Sequence, residues 1–180
     1  MSRAPAGLPW RRLAAWGVDW LVISAYAAAL VPVGLLLVEH SVRLPPLGWN
    51  AVSFLLLVLP ATVWAAAWER SQRGATPGKR LLKLRVRTLT GGRPGWGPAL
   101  ARNTIKIAVP WEAGHTAAFL LADPGASEAA TAIGMASALV ACTVAAVHVA
   151  MLFIGTGRTG YDRATGTAVQ SLGGSTACSI

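Results

Sequence analysis

Cysteine is nearly absent. Cys142 lies in an apolar run and Cys178 near the end, and there are only these two. The chain therefore has no disulfide framework and no pair at metal-ligand spacing. Acid is scarce as well, with seven Asp and Glu against 16 Lys and Arg, and charged residues make up only 13% of the chain. Together with 54% apolar residues and a mean hydropathy of +0.51, this excludes an ordinary soluble domain of 180 residues. No Ser/His/Asp set and no HExxH pair occurs, so nothing points to an enzyme, a metal or another cofactor. The basic residues are not interleaved with aromatics, so the net charge of +9 does not read as nucleic-acid recognition.

What the chain does have is apolar length. Four segments read as membrane spans, at about 15–38, 49–68, 103–122 and 129–154. A secretory signal peptide is a poor reading of the first, whose run is too long and contains Asp19. Residues 1–11 read as a flexible basic arm, 12–170 as the transmembrane domain and 171–180 as a disordered tail. The eight tryptophans lie mostly near the ends of the apolar runs, as amphipathic rings do at a headgroup belt. Of the 16 lysines and arginines, only Arg43 falls in 40–48, and none falls in 123–128. By the positive-inside rule, both termini and the segment between the second and third spans are cytoplasmic, in a cell or inner membrane.

Asp19 is the anomaly of the first span. A carboxylate at the centre of a spanning helix costs about 2.5–3.5 kcal/mol on insertion scales, so it needs a partner. Arg12 is the nearest candidate, since seven residues bring a helix back to almost the same face. Asp19 is then either a hydrogen-bonding post between helices or a functional acid. In the third segment Glu112 and His115 are three apart, neighbours on one helical face, and form a candidate relay. Ala132, Gly134, Ala136 and Ala138 in the fourth suit close helix packing. His148 reads as a packing residue before it reads as an ion ligand.

The basic segment after the second span differs in kind. Leu82, Leu84 and Val86 alternate with Lys83, Arg85 and Arg87, the period of a half-buried strand. Thr90-Gly91-Gly92-Arg93 is a turn signal, so a strand or short hairpin is expected at the cytoplasmic surface, with an interfacial amphipathic helix as the alternative. Lys79, Arg80, Lys83, Arg85 and Arg87 are expected to contact anionic lipid headgroups, at about 1 kcal/mol each. Gly74-Ala-Thr-Pro-Gly78-Lys79 fails as a phosphate loop, because three residues rather than four separate the glycines and Arg80 stands where Ser or Thr would bind magnesium.

In order along the chain, these pieces resemble the RDD family of small bacterial membrane proteins. The resemblance rests on Arg12-x-x-Ala15-x-x-x-Asp19 in the first span, Gly74-x-Thr76-Pro77-Gly78-Lys79 after the second, and Leu82-x-Leu84-Arg85-Val86. Ala99 to Arg102 follows, and Asp162 to Thr167 lies after the last span. It covers about 10–170 and implies an all-α, multi-pass membrane protein, here a four-helix bundle with a short extended cytoplasmic element. Some members are associated with sodium–proton exchange and others look like accessory domains. Two functions are therefore expected. One is a non-catalytic membrane module that binds a protein partner, a second copy of itself or anionic lipid through the basic segment. The other is sodium or proton movement, with Arg12, Asp19 and Asp162 as a charge network at one end of the bundle.

Overall fold

The computed structural model describes residues 7–172. Helix α1 runs Leu8–Glu39, α2 Pro46–Arg70, α3 Pro77–Leu81, α4 96–121, α5 Glu128–Phe153 and α6 Gly160–Ala164. Strands β1, Leu84–Thr88, and β2, Thr167–Ser171, complete the described residues. Proline opens α1, α2 and α3 at the first positions, where its missing N–H would have had no partner in any case.

Three helices, α1, α2 and α5, are long and apolar enough to cross a membrane. Helix α4 carries Arg102, Lys106, Glu112 and His115 and falls outside that group. The expected third span, 103–122, is thus a helix, but not one that length and apolarity alone qualify. Helix α1 begins seven residues before the expected span, so Leu8 to Arg11 of the supposed flexible arm are helical; residues 1–6 lie outside the described residues.

Helices α2 and α4 each contain a widened π turn, Phe54–Val58 and Thr104–Ala108, shortly before Pro60 and Pro110. Proline removes a donor and crowds the carbonyl four residues back, and the wider turn relieves both. For Pro60 that carbonyl belongs to Leu56, and the Tyr26 hydroxyl donates to it at 2.6 Å. A backbone group freed in α2 thereby becomes a link to α1.

The expected strand forms, but not as a local hairpin. The Thr88 to Gly92 turn closes through backbone hydrogen bonds and then leads into α4. β1 pairs instead with β2, antiparallel, with Leu84 opposite Ser171, Val86 opposite Val169 and Thr88 opposite Thr167. Ser171 is therefore a strand residue rather than tail, and 173–180 lie outside the described residues. Period two puts Leu84, Val86 and Val169 on one face, where they are buried with Ala15 of α1. Arg11 ties the same layer down, donating to Ser171 Oγ at 2.8 Å and to the Leu82 carbonyl.

Helix α3 lies across α1 at Gly78. A Cβ there would overlap the Ala15 carbonyl and come within 2.9 Å of Asp19 Oδ1, so only glycine permits the approach. At the other side of the bundle Gly134 of α5 meets Leu120 and Leu121 of α4. Of the four small residues expected to pack closely, Gly134 is the one that is buried, while Ala132 and Ala136 are exposed and Ala138 is half-buried.

Candidate functional site

Six buried charges of alternating sign run through one end of the molecule. Arg12 of α1 donates to Asp162 Oδ2 at 2.7 Å. Arg102 of α4 donates to the other oxygen of Asp162, and its Nε lies 2.9 Å from Glu69 Oε2 of α2, an ion-pair distance whose N–H direction falls off the hydrogen-bond line. Lys79 of α3 donates to Glu69 Oε1 at 2.9 Å, and its Nζ is 3.8 Å from Asp19 Oδ2 of α1. The order is Arg12, Asp162, Arg102, Glu69, Lys79, Asp19. The path starts and ends on α1 and passes through α6, α4, α2 and α3.

The polar side chains around this path are matched to it. Asn103 donates to Glu69 Oε2 at 2.9 Å and Arg102 to Thr167 Oγ1 at 2.9 Å. Asp19 accepts from Thr76 Oγ1 at 2.5 Å and from the Gly78 amide at 2.8 Å. Arg12 also donates to the Gly157 carbonyl, at 2.5 Å. Asp162 is aimed by local sequence: Thr159 caps α6, its amide and hydroxyl donate to Asp162 Oδ2, and Asp162 stands three residues on, the geometry of a capping box. Burial pushes the Asp162 carboxyl up, but the Arg102 and Arg12 guanidiniums pull the other way and hold it well below the ordinary value of 3.8. Arg102 further lies 4.9 Å from the centre of the Tyr161 ring, which His148 meets edge-on.

Arg12, Asp19 and Asp162 are thus brought to one end of the molecule, but not as a triad. Arg12 pairs with Asp162, whereas Asp19 takes Lys79, Thr76 and Gly78. Lys79 is not a headgroup contact, because it is buried between Glu69 and Asp19. Of the other expected headgroup residues, Arg80 and Lys83 are exposed, while Arg85 and Arg87 are half-buried. Glu69 and Arg102, the two interior members that join the halves, were not expected in the charge network, although Arg102 belongs to the Ala99 to Arg102 piece of the resemblance. Each stands at a helix end next to a basic surface, where a charge ordinarily faces water.

Glu112 and His115 lie apart. Glu112 accepts from Asn50 Nδ2 at 2.7 Å, and His115 Nδ1 is 3.1 Å from Ser53 Oγ. Among the described residues no hydrogen bond or ion pair joins them to the six-charge path, so the expected relay has no continuous route to it. No group of three His, Cys, Asp or Glu among the described residues is placed to hold a metal.

Beside the charges is a cavity of about 300 Å³. Its apolar wall includes Trp16, Trp20, Trp64 and Trp111, with Trp20 and Trp111 stacked at 5.9 Å. Asp19, Lys79 and Lys106 are among its polar lining.

No curated protein and no solved structure matches the chain. The sequence pattern of the RDD family matches residues 6–166, a stretch that holds all six charges of the buried path, and the chain belongs to that family.

Proposed function

We propose that this is a non-catalytic, multi-pass membrane module that presents a basic face to anionic lipid headgroups at the cytoplasmic surface. Its buried charges fasten that end of the bundle together. One observation carries the reading: the path contains three acids and three bases, each with an opposite charge beside it, so its carboxylates are spent on internal partners. Closed in this way, the end of the bundle supports a surface on which Arg70, Arg73, Arg80, Lys83, Arg93 and Arg163 are exposed. Helix α4, with α1, α2 and α5, would make the fourth pass, its charged first turns packed against α2 and α6. Both termini then share the basic side, which the positive-inside rule assigns to the cytoplasm.

The test is lipid selectivity in reconstituted bilayers, read with spin-labelled lipids. Phosphatidylglycerol should be preferred over phosphatidylcholine. Arg80→Gln with Lys83→Gln should weaken that preference by about fivefold per residue, the effect of about 1 kcal/mol for each base near the surface. An unchanged preference would remove the headgroup reading and leave a protein partner as the occupant of the basic face.

A second reading, sodium or proton movement through Asp19, has one observation in its favour: Asp19 lines the cavity. Against it, Asp19 is engaged by Thr76, Gly78 and Lys79, and nothing in the geometry leaves it free to coordinate a cation.

A further inference from the structure

Lys106 is the charge that the six-membered path leaves over. It is on α4, one helical turn beyond Arg102, and it lines the tryptophan-walled cavity. Lys106 is half-buried, and among the described residues its ammonium makes no hydrogen bond and no ion pair, whereas the buried bases at this end, Arg12, Lys79 and Arg102, each have a carboxylate beside them. Arg12, Lys79 and Arg102 are balanced by Asp19, Glu69 and Asp162, and Lys106 adds one positive charge with no counterpart. A charge that faces a largely apolar cavity without a partner is costly, and a single anion is what the site lacks.

The walls say what that anion is attached to. Trp16, Trp20, Trp64 and Trp111 form a largely apolar lining, and Trp16 and Trp20 are also partly exposed on α1, so the cavity reaches the outer surface of the helices where acyl chains would lie. A free, fully hydrated anion gains nothing from such walls. At about 300 Å³ the space is at the small end for ligand sites, enough for a headgroup or a length of chain with the remainder outside. We infer that the cavity binds a singly charged oxyanion carried on an acyl chain, its charge against Lys106 and its apolar part along the four tryptophans. This site is separate from the exposed basic face, and does not rest on the headgroup reading of that face.

The chemistry is shared by a phospholipid with one negative charge and by a free fatty acid, and the test separates the two. Tryptophan fluorescence of the purified chain in zwitterionic detergent–phosphatidylcholine micelles would be titrated with small mole fractions of brominated-acyl phosphatidylglycerol, brominated fatty acid or brominated phosphatidylcholine. One of the two anions should quench saturably, at about fivefold lower concentration than the zwitterion, the effect of one compensated charge. That preference should vanish in Lys106→Gln, persist in Lys106→Arg, and persist in Arg80→Gln with Lys83→Gln. Gly114→Leu is the second variant: Gly114 lines the cavity, and a Cβ there meets nothing within 4 Å, so a larger side chain fills the space without displacing the fold. It should abolish saturable quenching while the thermal unfolding temperature is retained. Equal quenching by anion and zwitterion, or an anion preference that survives both Lys106→Gln and Gly114→Leu, would overturn the inference. A preference lost only in Arg80→Gln with Lys83→Gln would also overturn it, and leave the surface reading standing.

Discussion

Glu69→Gln is the substitution that tests the buried path most severely. Glu69 is fully buried and takes Lys79, Arg102 and Asn103, each at 2.9 Å. Glutamine keeps the shape but removes the charge, and its amide presents a donor where three donors already converge. The path then holds three bases against two acids, in surroundings that cannot hydrate the surplus. Removing one member of a buried pair costs about 3–5 kcal/mol, because the partner stays behind without compensation. Against a typical folding free energy of about 5–15 kcal/mol, that loss removes a large fraction of the stability. Glu39→Gln, at the exposed end of α1, is the matched control and should stay within about 0.5 kcal/mol of the parent. Unfolding in mixed micelles, followed by tryptophan fluorescence and by size-exclusion chromatography, gives both values. Lys79→Met combined with Glu69→Gln should cost less than the sum of the two, by about 0.5–3 kcal/mol, as expected for groups in contact. A Glu69→Gln protein as stable as Glu39→Gln would refute the reasoning, since it would mean that the charges do not depend on one another.

Gly78→Ala should lower the yield of folded protein sharply, whereas Gly17→Ala, where a Cβ meets nothing within 4 Å, should not; fluorescence-detected chromatography separates the two. Tyr26→Phe should cost about 1 kcal/mol of unfolding free energy, the net value of one hydrogen bond, and less in a Pro60→Ala background, where the Leu56 carbonyl recovers an amide partner. Because the folded-state pKa of Asp162 is depressed, its contribution to stability is fully present above the ordinary carboxylate value of 3.8 and is lost only as pH falls through the lower folded value. Acid titration should therefore show a destabilisation below pH 3.8 in the parent that is reduced in Asp162→Asn.

Much of this architecture is written in local pattern. Apolar runs give the long helices, and alternation from Leu82 to Arg87 gives β1. The spacing of Arg12 and Asp19, with Asp162 beyond the last long helix, gives a charged end to the bundle. What local pattern does not contain is pairing. Arg12 and Asp19 share a helical face but are about 10 Å apart along the axis. The guanidinium turns instead toward Asp162 and Gly157. Lys79 reads as a surface base because it stands in a basic run, and only the passage of α3 over α1 at Gly78 turns it inward. β2 was masked by the polar residues of the tail, since a strand whose partner lies some 80 residues away leaves no turn signal to announce it. Thr159 and Asp162 stand at the spacing of a helix cap, but nothing in that spacing says that Asp162 lies between two arginines.

The claim on which the rest depends is that the six charges fasten the fold and do not carry an ion. Proteoliposomes holding quantified, folded protein under a pH gradient, with sodium added on one side, test it directly. The parent should show no sodium-dependent proton flux above empty vesicles, and Asp19→Asn should reduce the amount of folded protein without changing flux per folded molecule. Sodium-dependent flux in the parent, lost in an Asp19→Asn protein that remains fully folded, would contradict the account.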